Sequence, residues 1–188
     1  MTGNNISYAQ MNEQAAGIAA GSNGLFILPF GNGAERMLNN RMVGAQMKGI
    51  DFNQHTAAHL YRAAQEGIAF AFRYGLDIMR ENGMDPKVIR AGKANMFLSP
   101  VFAEAFVNAT GVPVELYESD GSVGAALGAG IGAGFFKDPS EAFSRREVLD
   151  TVVPKKAALY DELYERWKQH LTLTLKPSQK AGLASVVA

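Results

Sequence analysis

Apolar residues recur at helical spacing in three stretches of the chain, with polar residues between them. An apolar side chain at every third or fourth position forms one face of an α-helix, because the helix repeats every 3.6 residues. This spacing predicts a helix over residues 7–20, a long helix over about residues 54–82 and a third helix near the C-terminus. The apolar positions are Met11, Ala15, Ile18 and Ala19 in the first, Leu60, Ala64, Ile68, Ala71, Gly75 and Ile78 in the second, and Leu159, Leu163, Trp167 and Leu171 in the third.

The sequence also predicts which side of the long helix faces solvent and where the helix ends. Arg62 and Glu66 are spaced i,i+4, which allows an ion pair along one side of a helix. The apolar stripe leaves that pair on the solvent side. Gly83 follows the last apolar position and predicts the helix end, because glycine adopts the left-handed closing conformation at least cost.

Short apolar runs between the helices predict strands. Leu25–Phe30 is expected to be a buried strand or an extended segment, and residues 31–55, which are rich in Gly and Asn, are expected to be mostly loop. The stretch Lys87–Gly134 predicts a strand at Val88–Ile89, a loop of small residues, a helix, a second strand at Val114–Leu116 and a helix of Gly and Ala. In α/β proteins the order strand, tight loop, helix presents backbone N–H groups to phosphates.

The Gly/Ala helix has a spacing with two interpretations. Gly128, Gly130 and Ala133 satisfy the dinucleotide-binding pattern G-x-G-x-x-A. That pattern functions at a turn from a strand into a helix, whereas these residues follow the stretch SVGAAL, which is itself helical in pattern. Each glycine in a helix interior costs ~1 kcal/mol relative to alanine. We therefore expect a flat face, with Gly124 and Gly128 packed at close range against a strand or the long helix.

Composition is that of an ordinary globular protein and removes several classes of function. The 188 residues are 47% hydrophobic and 19% charged, with 18 basic and 18 acidic side chains. Zero net charge provides no electrostatic footprint for nucleic acid or an anionic membrane, so neither is an expected partner. The chain has no cysteine, which excludes disulfides and thiol chemistry and fits a cytoplasmic protein. Its N-terminus is polar and lacks the apolar region of a signal peptide.

His55 and His59 share the i,i+4 spacing of the histidines on a zinc-hydrolase helix. The residues between them are Thr-Ala-Ala, without the glutamate of H-E-x-x-H, and the sequence offers no evident third ligand. A solvated first helical turn is the simpler interpretation. No metal-binding or catalytic residue is therefore assigned to this chain.

The loop Arg90–Ser99 carries most of the candidate chemistry. Ala91 and Gly92 have almost no side chain and allow a nucleotide or another backbone to approach closely, while Asn95 can donate and accept hydrogen bonds. The Ser-Pro pair at the end of the loop predicts the start of a helix. Any α/β domain uses small residues and a cap at such a turn, so a purely structural turn is the alternative. If the two strands are parallel neighbours, residues 118–121 should lie beside this loop and border a shallow, open groove.

Several ordered segments resemble the FGGY carbohydrate kinases, a family that includes xylulokinases and glycerol kinases. The xylulokinase segments GL-flPyl-GeR and hlyRAvlEGiaf are resembled by Gly24–Arg36 and His59–Phe70. The glycerol kinase loop GGAvANNFL is resembled by Arg90–Leu98, with Arg90-Ala91 in place of the doubled glycine. The family segments GaalGAa and YdelYerW are resembled by Gly124–Ala129 and Tyr160–Trp167. The matches therefore extend in family order over most of the chain.

The resemblance implies an α/β fold, namely part of the C-terminal lobe of an actin-like ATPase of the ribonuclease H-like class, helix-rich with a short parallel sheet. This lobe is expected to span residues 24–172, after a helical lead-in at 1–23 and before a tail at 173–188. The family's phosphate-binding hairpin, sugar contacts, catalytic aspartate and opening β-meander belong to segments that precede the matching region. We therefore expect this chain to be the C-terminal part of a sugar kinase and to be inactive alone.

The resemblance also implies a function. FGGY kinases transfer the γ-phosphoryl group of ATP to a sugar hydroxyl with the help of Mg²⁺, and xylulose is the expected sugar because the best matching motifs are xylulokinase-like. The family loop that matches residues 91–95 lies against the nucleotide. By this resemblance Ala91 and Gly92 approach ATP or ADP through their backbone and Asn95 hydrogen-bonds to it, while Arg90 either meets a phosphate or faces solvent. The sugar is bound through the other lobe, and a homodimer is compatible with these expectations. The alternative is a stand-alone nucleotide-binding or interaction module derived from a kinase lobe, without catalysis.

Overall fold

The computed structural model describes residues 6–118, 121–143 and 147–176, which form a helix-rich α/β fold. Ser7 caps the first helix, which ends at Ala16 and is therefore shorter than the helix predicted over residues 7–20. The Ser99-Pro100 pair begins the helix after the candidate loop, as the sequence predicts. Of the tail expected at 173–188, residues 173–175 belong to the last helix, Ala157–Leu175, and residues 177–188 lie outside the described residues. In chain order the elements are α1 (Tyr8–Ala16), β1 (Phe26–Glu35), β2 (Arg41–Lys48), α2 (Ala57–Glu81), β3 (Ile89–Gly92), α3 (Pro100–Thr110), β4 (Val114–Tyr117), α4 (Gly121–Gly132), α5 (Pro139–Phe143), β5 (Val148–Val152) and α6 (Ala157–Leu175).

The strands form two separate sheets. β3 and β4 are parallel neighbours joined through α3, as expected, but β5 pairs antiparallel with β4, so the sheet β3-β4-β5 is mixed and not purely parallel. The second sheet is the antiparallel hairpin β1–β2, whose strands include most of residues 31–48. The expectation that residues 31–55 are mostly loop is therefore wrong. Their Gly and Asn residues mark an irregularity between Phe30 and Ala34 and a left-handed turn at Asn39 and Asn40, and strands continue on both sides.

The core lies between the hairpin, α2, α3, one face of the mixed sheet and α6. Trp167 is fully buried at its centre, and its indole N–H donates to the carbonyl oxygen of Ile27 on β1 at 2.8 Å. Leu163, Trp167 and Leu171 face inward as predicted, but Leu159 is 41% exposed. Tyr160 and Tyr164 are buried in its place, because a strict four-residue step drifts around a helix that repeats every 3.6 residues.

The Arg62–Glu66 pair is buried, so its predicted place on the solvent side is wrong. The two residues are 6% and 2% exposed, and Nε of Arg62 lies 2.8 Å from a carboxylate oxygen of Glu66. The remaining donors of Arg62 reach the carbonyl of Ile18 at 2.8 Å and the hydroxyl of Tyr160 at 3.1 Å. Glu66 also accepts from the backbone N–H of Gly21 at 3.1 Å. Burial raises the pKa of Glu66, an effect that the hydrogen bonds from Arg62 partly offset. The pair thus fastens the segment before β1 to α2 and α6.

The Gly/Ala helix α4 contradicts the close packing predicted for it. None of its residues is buried, and a Cβ added at Gly124 or Gly128 would meet no heavy atom within 4 Å. The glycine that does permit close helix packing is Gly67 on α2, where a Cβ would run into the carbonyl group of Ile27 on β1. Gly128 and Gly130 lie in the second half of α4, and this position agrees with the rejection of a dinucleotide fingerprint.

Candidate functional site: a groove at the ends of two parallel strands

An open groove of about 630 Å³ lies at the carboxyl ends of β3 and β4. The three predicted nucleotide-binding residues, Ala91, Gly92 and Asn95, all lie on its wall. Gly121, at the exit of β4, lies on the same groove, as expected for a neighbouring parallel strand. The structure therefore brings these residues together at the edge where parallel α/β sheets bind ligands.

Hydrogen bonds fix the shape of the loop that forms this wall. The N–H of Lys93 donates to the carbonyl of Tyr117 at 2.8 Å and extends the pairing of the two strands, and the N–H of Ala94 turns back to the carbonyl of Gly92 at 2.8 Å. Asn95 then adopts a left-handed conformation, with φ of 51°, which Asn tolerates better than most residues. A short 3-10 helix, Asn95–Leu98, begins at this residue and leads to Ser99.

Ser99, the residue that precedes helix α3, makes two hydrogen bonds. The hydroxyl oxygen of Ser99 accepts from the N–H of Phe102 at 3.4 Å, and the hydroxyl donates to Oε1 of Gln65 on α2 at 2.6 Å. Ser99 is buried, so this second bond satisfies a polar group that has lost water. Ser99 therefore acts as the predicted cap and also connects the loop to the long helix.

Further residues that line the groove are apolar, and sequence reasoning did not name them as site residues. Phe72 on α2 lines the groove and is 56% exposed, although it is a large aromatic residue. Phe97 also lines it and packs edge-on against Phe102, with ring centroids 5.2 Å apart. Gly124, in the early part of α4, completes the wall. The sequence shows that Phe72 is an aromatic residue outside the apolar stripe of the long helix, but it does not show that this residue lies near the loop.

Arg90 is the single charged side chain among the described residues that line the groove. Its Nε lies 3.1 Å from Oε2 of Glu115, the residue opposite it on β4. The hydroxyl of Tyr117 donates to the same carboxylate oxygen at 2.6 Å. These hydrogen bonds from Tyr117 and Arg90 hold the pKa of Glu115 below its usual value, and the bond to Glu115 raises the pKa of Tyr117. The guanidinium is thus held at the rim by a carboxylate on the neighbouring strand.

The histidine pair has an arrangement that opposes metal binding. Nδ1 of His55 accepts the N–H of Asp51 at 2.8 Å, and Nδ1 of His59 accepts the N–H of Thr56 at 3.2 Å. In neutral imidazole the proton must then reside on Nε2, the atom that would otherwise bind a metal. Across residues 6–118, 121–143 and 147–176, no group of three His, Asp or Glu side chains could hold a metal ion. Within the same ranges, no helix is both long and apolar enough to cross a membrane.

Comparison with known proteins identifies the family of this fold. Residues 2–134 match the C-terminal domain of the FGGY family of carbohydrate kinases. The chain belongs to that family. Similar solved structures include xylulose kinase from Rhodospirillum rubrum, at 26% identity and a TM-score of 0.71 over 88% of this chain and 34% of that one. Plasmodium falciparum glycerol kinase with ADP shares the fold, at 19% identity and a TM-score of 0.71 over 91% of this chain and 34% of that one. The actin-like architecture predicted for the lobe is confirmed.

Curated relatives are sugar kinases that are about three times as long. An L-xylulose/3-keto-L-gulonate kinase of Escherichia coli is 33% identical over 91% of this chain and 34% of its own length. A xylulose kinase of Haemophilus influenzae is 31% identical over 89% of this chain and 35% of its own length. The chain therefore spans about a third of the length of these relatives.

Proposed function

We propose that this chain forms the nucleotide-binding wall of an ATP-dependent sugar kinase. The observation that carries the proposal is the meeting of Ala91, Gly92 and Asn95 with the start of α4 on one groove at the strand ends. Membership of the FGGY family supports the reaction class, and an ADP-containing glycerol kinase has the same fold. The sugar contacts and the base that accepts the hydroxyl proton are proposed to come from other parts of the whole kinase.

The residues on the groove fit a nucleotide in shape and polarity. Small side chains at Ala91 and Gly92 let a ligand approach the backbone of the loop, and the amide of Asn95 can bond to a base or a ribose. The exposed ring of Phe72 offers an apolar face on which a base can stack. ATP bound here would supply the phosphoryl group, while these residues would bind and orient it. Phosphoryl transfer depends mainly on such positioning and on charge stabilisation.

Xylulose is the sugar we propose for the whole kinase. Several similar relatives are named xylulose kinases, at 26–31% identity, and one is named for L-xylulose and 3-keto-L-gulonate. These identities support a sugar kinase more strongly than any one sugar. Mg²⁺ is part of the proposed reaction because the family's chemistry uses a metal carried by the phosphates. No residue of this chain is assigned to the metal.

Titration of the isotope-labelled chain with ADP, followed through its amide resonances, tests the nucleotide site. We expect saturable shifts in residues 90–99 and at the start of α4. Asn95→Gly removes the side chain while allowing the left-handed backbone, and it should weaken binding by ~0.5–1.5 kcal/mol, the net value of one hydrogen bond. Asn39→Gly is the matched control, because Asn39 is also left-handed, with φ of 55°, and lies in the hairpin turn. Equal losses in both variants, or shifts confined to other regions, would contradict the site.

Two leucine substitutions on α4 test the groove by obstruction. Gly124 lines the groove and Gly128 does not, and both positions have open space where a side chain would begin. Gly124→Leu should therefore reduce ADP affinity several-fold, whereas Gly128→Leu should leave it unchanged.

The sugar kinase proposal also predicts no xylulose-dependent ADP production by this chain alone. Protein-dependent turnover with xylulose would show that the chain carries more of the reaction than we propose.

A further inference from the structure

We infer that Arg90 is a phosphate-contacting residue of the groove, held in position for that task by Glu115 and Tyr117. This inference rests on the proposed nucleotide site and assigns it an anion contact. The glycerol kinase motif that resembles this loop has glycine in place of Arg90, so that motif does not by itself imply the contact.

Arg90, the charged residue of the groove lining, lies next to the two small residues of the loop. Arg90 immediately precedes Ala91 and Gly92, and all three line the groove. Except for Arg90, the described lining residues are apolar or carry no formal charge. A nucleotide di- or triphosphate that enters an otherwise uncharged groove must exchange water for protein contacts, and a guanidinium matches phosphate oxygens in charge and in shape.

The guanidinium of Arg90 is only partly engaged by its neighbours Glu115 and Tyr117. The contact with Glu115 uses Nε, and 55% of the Arg90 side chain is exposed. A guanidinium has five N–H donors, so a phosphate can approach the terminal nitrogens while the Glu115 bond is retained. Arg90 differs in this respect from Arg62, which is nearly inaccessible to solvent and whose three nitrogens each contact a group of the protein.

The support for Arg90 comes from β4, the central strand of the sheet β3-β4-β5. Arg90 and Glu115 face each other on paired strands, and the hydroxyl of Tyr117 fixes the same carboxylate oxygen from two residues further along β4. A long side chain loses less conformational freedom on binding when a partner already restrains it. Glu115 and Tyr117 are therefore positioning residues, and Arg90 is the group that contacts the ligand.

Lys93 provides a matched control within the same loop. It is also a cation near a carboxylate of the same sheet, since its Nζ lies 4.0 Å from Oδ2 of Asp150 on β5. Lys93 does not line the groove. Replacing either residue by alanine removes one positive charge near the loop, but only one of the changes removes a cation from the groove.

The test compares the affinities of ADP and adenosine, measured by calorimetry on the whole chain and on its Arg90→Ala and Lys93→Ala variants. Arg90→Ala should weaken ADP binding by about three- to tenfold, as expected for loss of a partly exposed charge-assisted contact. Adenosine binding should not change, and the ADP defect should become smaller at high salt because an ionic contact is screened. Lys93→Ala should leave the ratio of the two affinities close to that of the parent.

The possible outcomes separate the inference from the proposed function. Failure of the parent chain to bind either ligand would overturn both. Binding of both ligands with an unchanged ADP-to-adenosine ratio in Arg90→Ala would overturn only the inference, as would an equal change in Lys93→Ala. If Arg90→Ala does not fold, Arg90→Gln retains most of the side chain without its charge, and the same ratio decides. A selective loss of ADP affinity in either Arg90 variant supports the assignment.

Discussion

The helices α2 and α4 reverse the expectation that polar sequence lies outside and apolar sequence lies inside. α2 carries an arginine and a glutamate that are nearly inaccessible to solvent, whereas α4 has no charged residue and buries nothing. Glycine shows the same reversal, because Gly67 on α2 touches a strand backbone while Gly128 on α4 touches nothing nearby. The difference lies in what surrounds each helix. α2 packs against the hairpin, α3 and α1, whereas α4 contacts chiefly the short helix α5.

This comparison shows that composition alone does not assign a helix to the core. A helix that is apolar all round is usually buried, and a helix with an i,i+4 ion pair usually exposes that pair. The charges on α2 are tolerated inside because each one has several hydrogen-bond partners. The small side chains of α4 instead leave room beside a groove, where two of its glycines line the wall.

Removing the buried cation of α2 should have the largest effect on stability. Arg62→Ala leaves Glu66 in the interior without its counter-ion and removes a hydrogen-bond donor from the carbonyl of Ile18. The free energy of unfolding should therefore fall by ~3–5 kcal/mol. Urea denaturation measures the loss. Lys87→Ala breaks the exposed ion pair with Asp85 and should cause no measurable change. A similar loss in both variants would remove the distinction between the buried and the exposed pair.

The close approach of α2 to β1 should give the next largest effect. Gly67→Ala drives a Cβ into the carbonyl group of Ile27, which is backbone and cannot rotate away, and the free energy of unfolding should fall by ~1–3 kcal/mol. Gly75→Ala is a control on the same helix, because its Cβ would meet only the flexible end of Met37 at 4.0 Å. Thermal melting that is lower in the first variant only is the expected result.

Substitution on α4 should have a smaller effect, of opposite sign. Gly128→Ala places a methyl group in open space and restricts the unfolded chain, so it should stabilise the protein by up to ~1 kcal/mol. Urea denaturation of Gly128→Ala and Gly128→Leu measures this effect. A loss of ~1–3 kcal/mol in the leucine variant would indicate overpacking and would restore the close packing that the sequence suggested.

Alkaline titration should give the smallest effect. It concerns Tyr160 and Tyr164, whose hydroxyl groups contact charged side chains of α2. Burial raises the pKa of Tyr160 and of Tyr164, and nearby Glu66 and a hydrogen bond to Asp77 respectively add to the two shifts. For an acid whose folded pKa is raised, the stability contribution is complete below the unfolded value of 10.0 and decreases as the pH rises above it. Ultraviolet absorbance of phenolate should therefore report both tyrosines only as the protein unfolds. Tyr164→Phe should reduce the absorbance change that accompanies unfolding. Ionisation of both tyrosines before the protein unfolds would contradict their burial.

Local patterns in the sequence were sufficient for several elements and for the candidate loop. The long helix, the parallel pair β3–β4 and the Ser99 cap follow from spacing, strand order and turn residues that are close together in the chain. The same reasoning brought Ala91, Gly92 and Asn95 to one groove. The position of Phe72 on that groove could not be inferred in this way, because it depends on how α2 lies against a loop about twenty residues later.

The sequence by itself determined the family, the order of the helices and the loop at the strand ends, because these depend on short-range patterns. Only the tertiary structure decided that Arg62 and Glu66 are inside, that α4 is exposed and that Arg90 turns to Glu115. Burial depends on neighbours that are distant in the chain, and an ion pair becomes stable inside only when those neighbours supply its remaining hydrogen bonds. The hairpin also became visible only when β1 and β2 were paired, since glycines that suggest a loop in sequence can equally mark an irregularity between two strands.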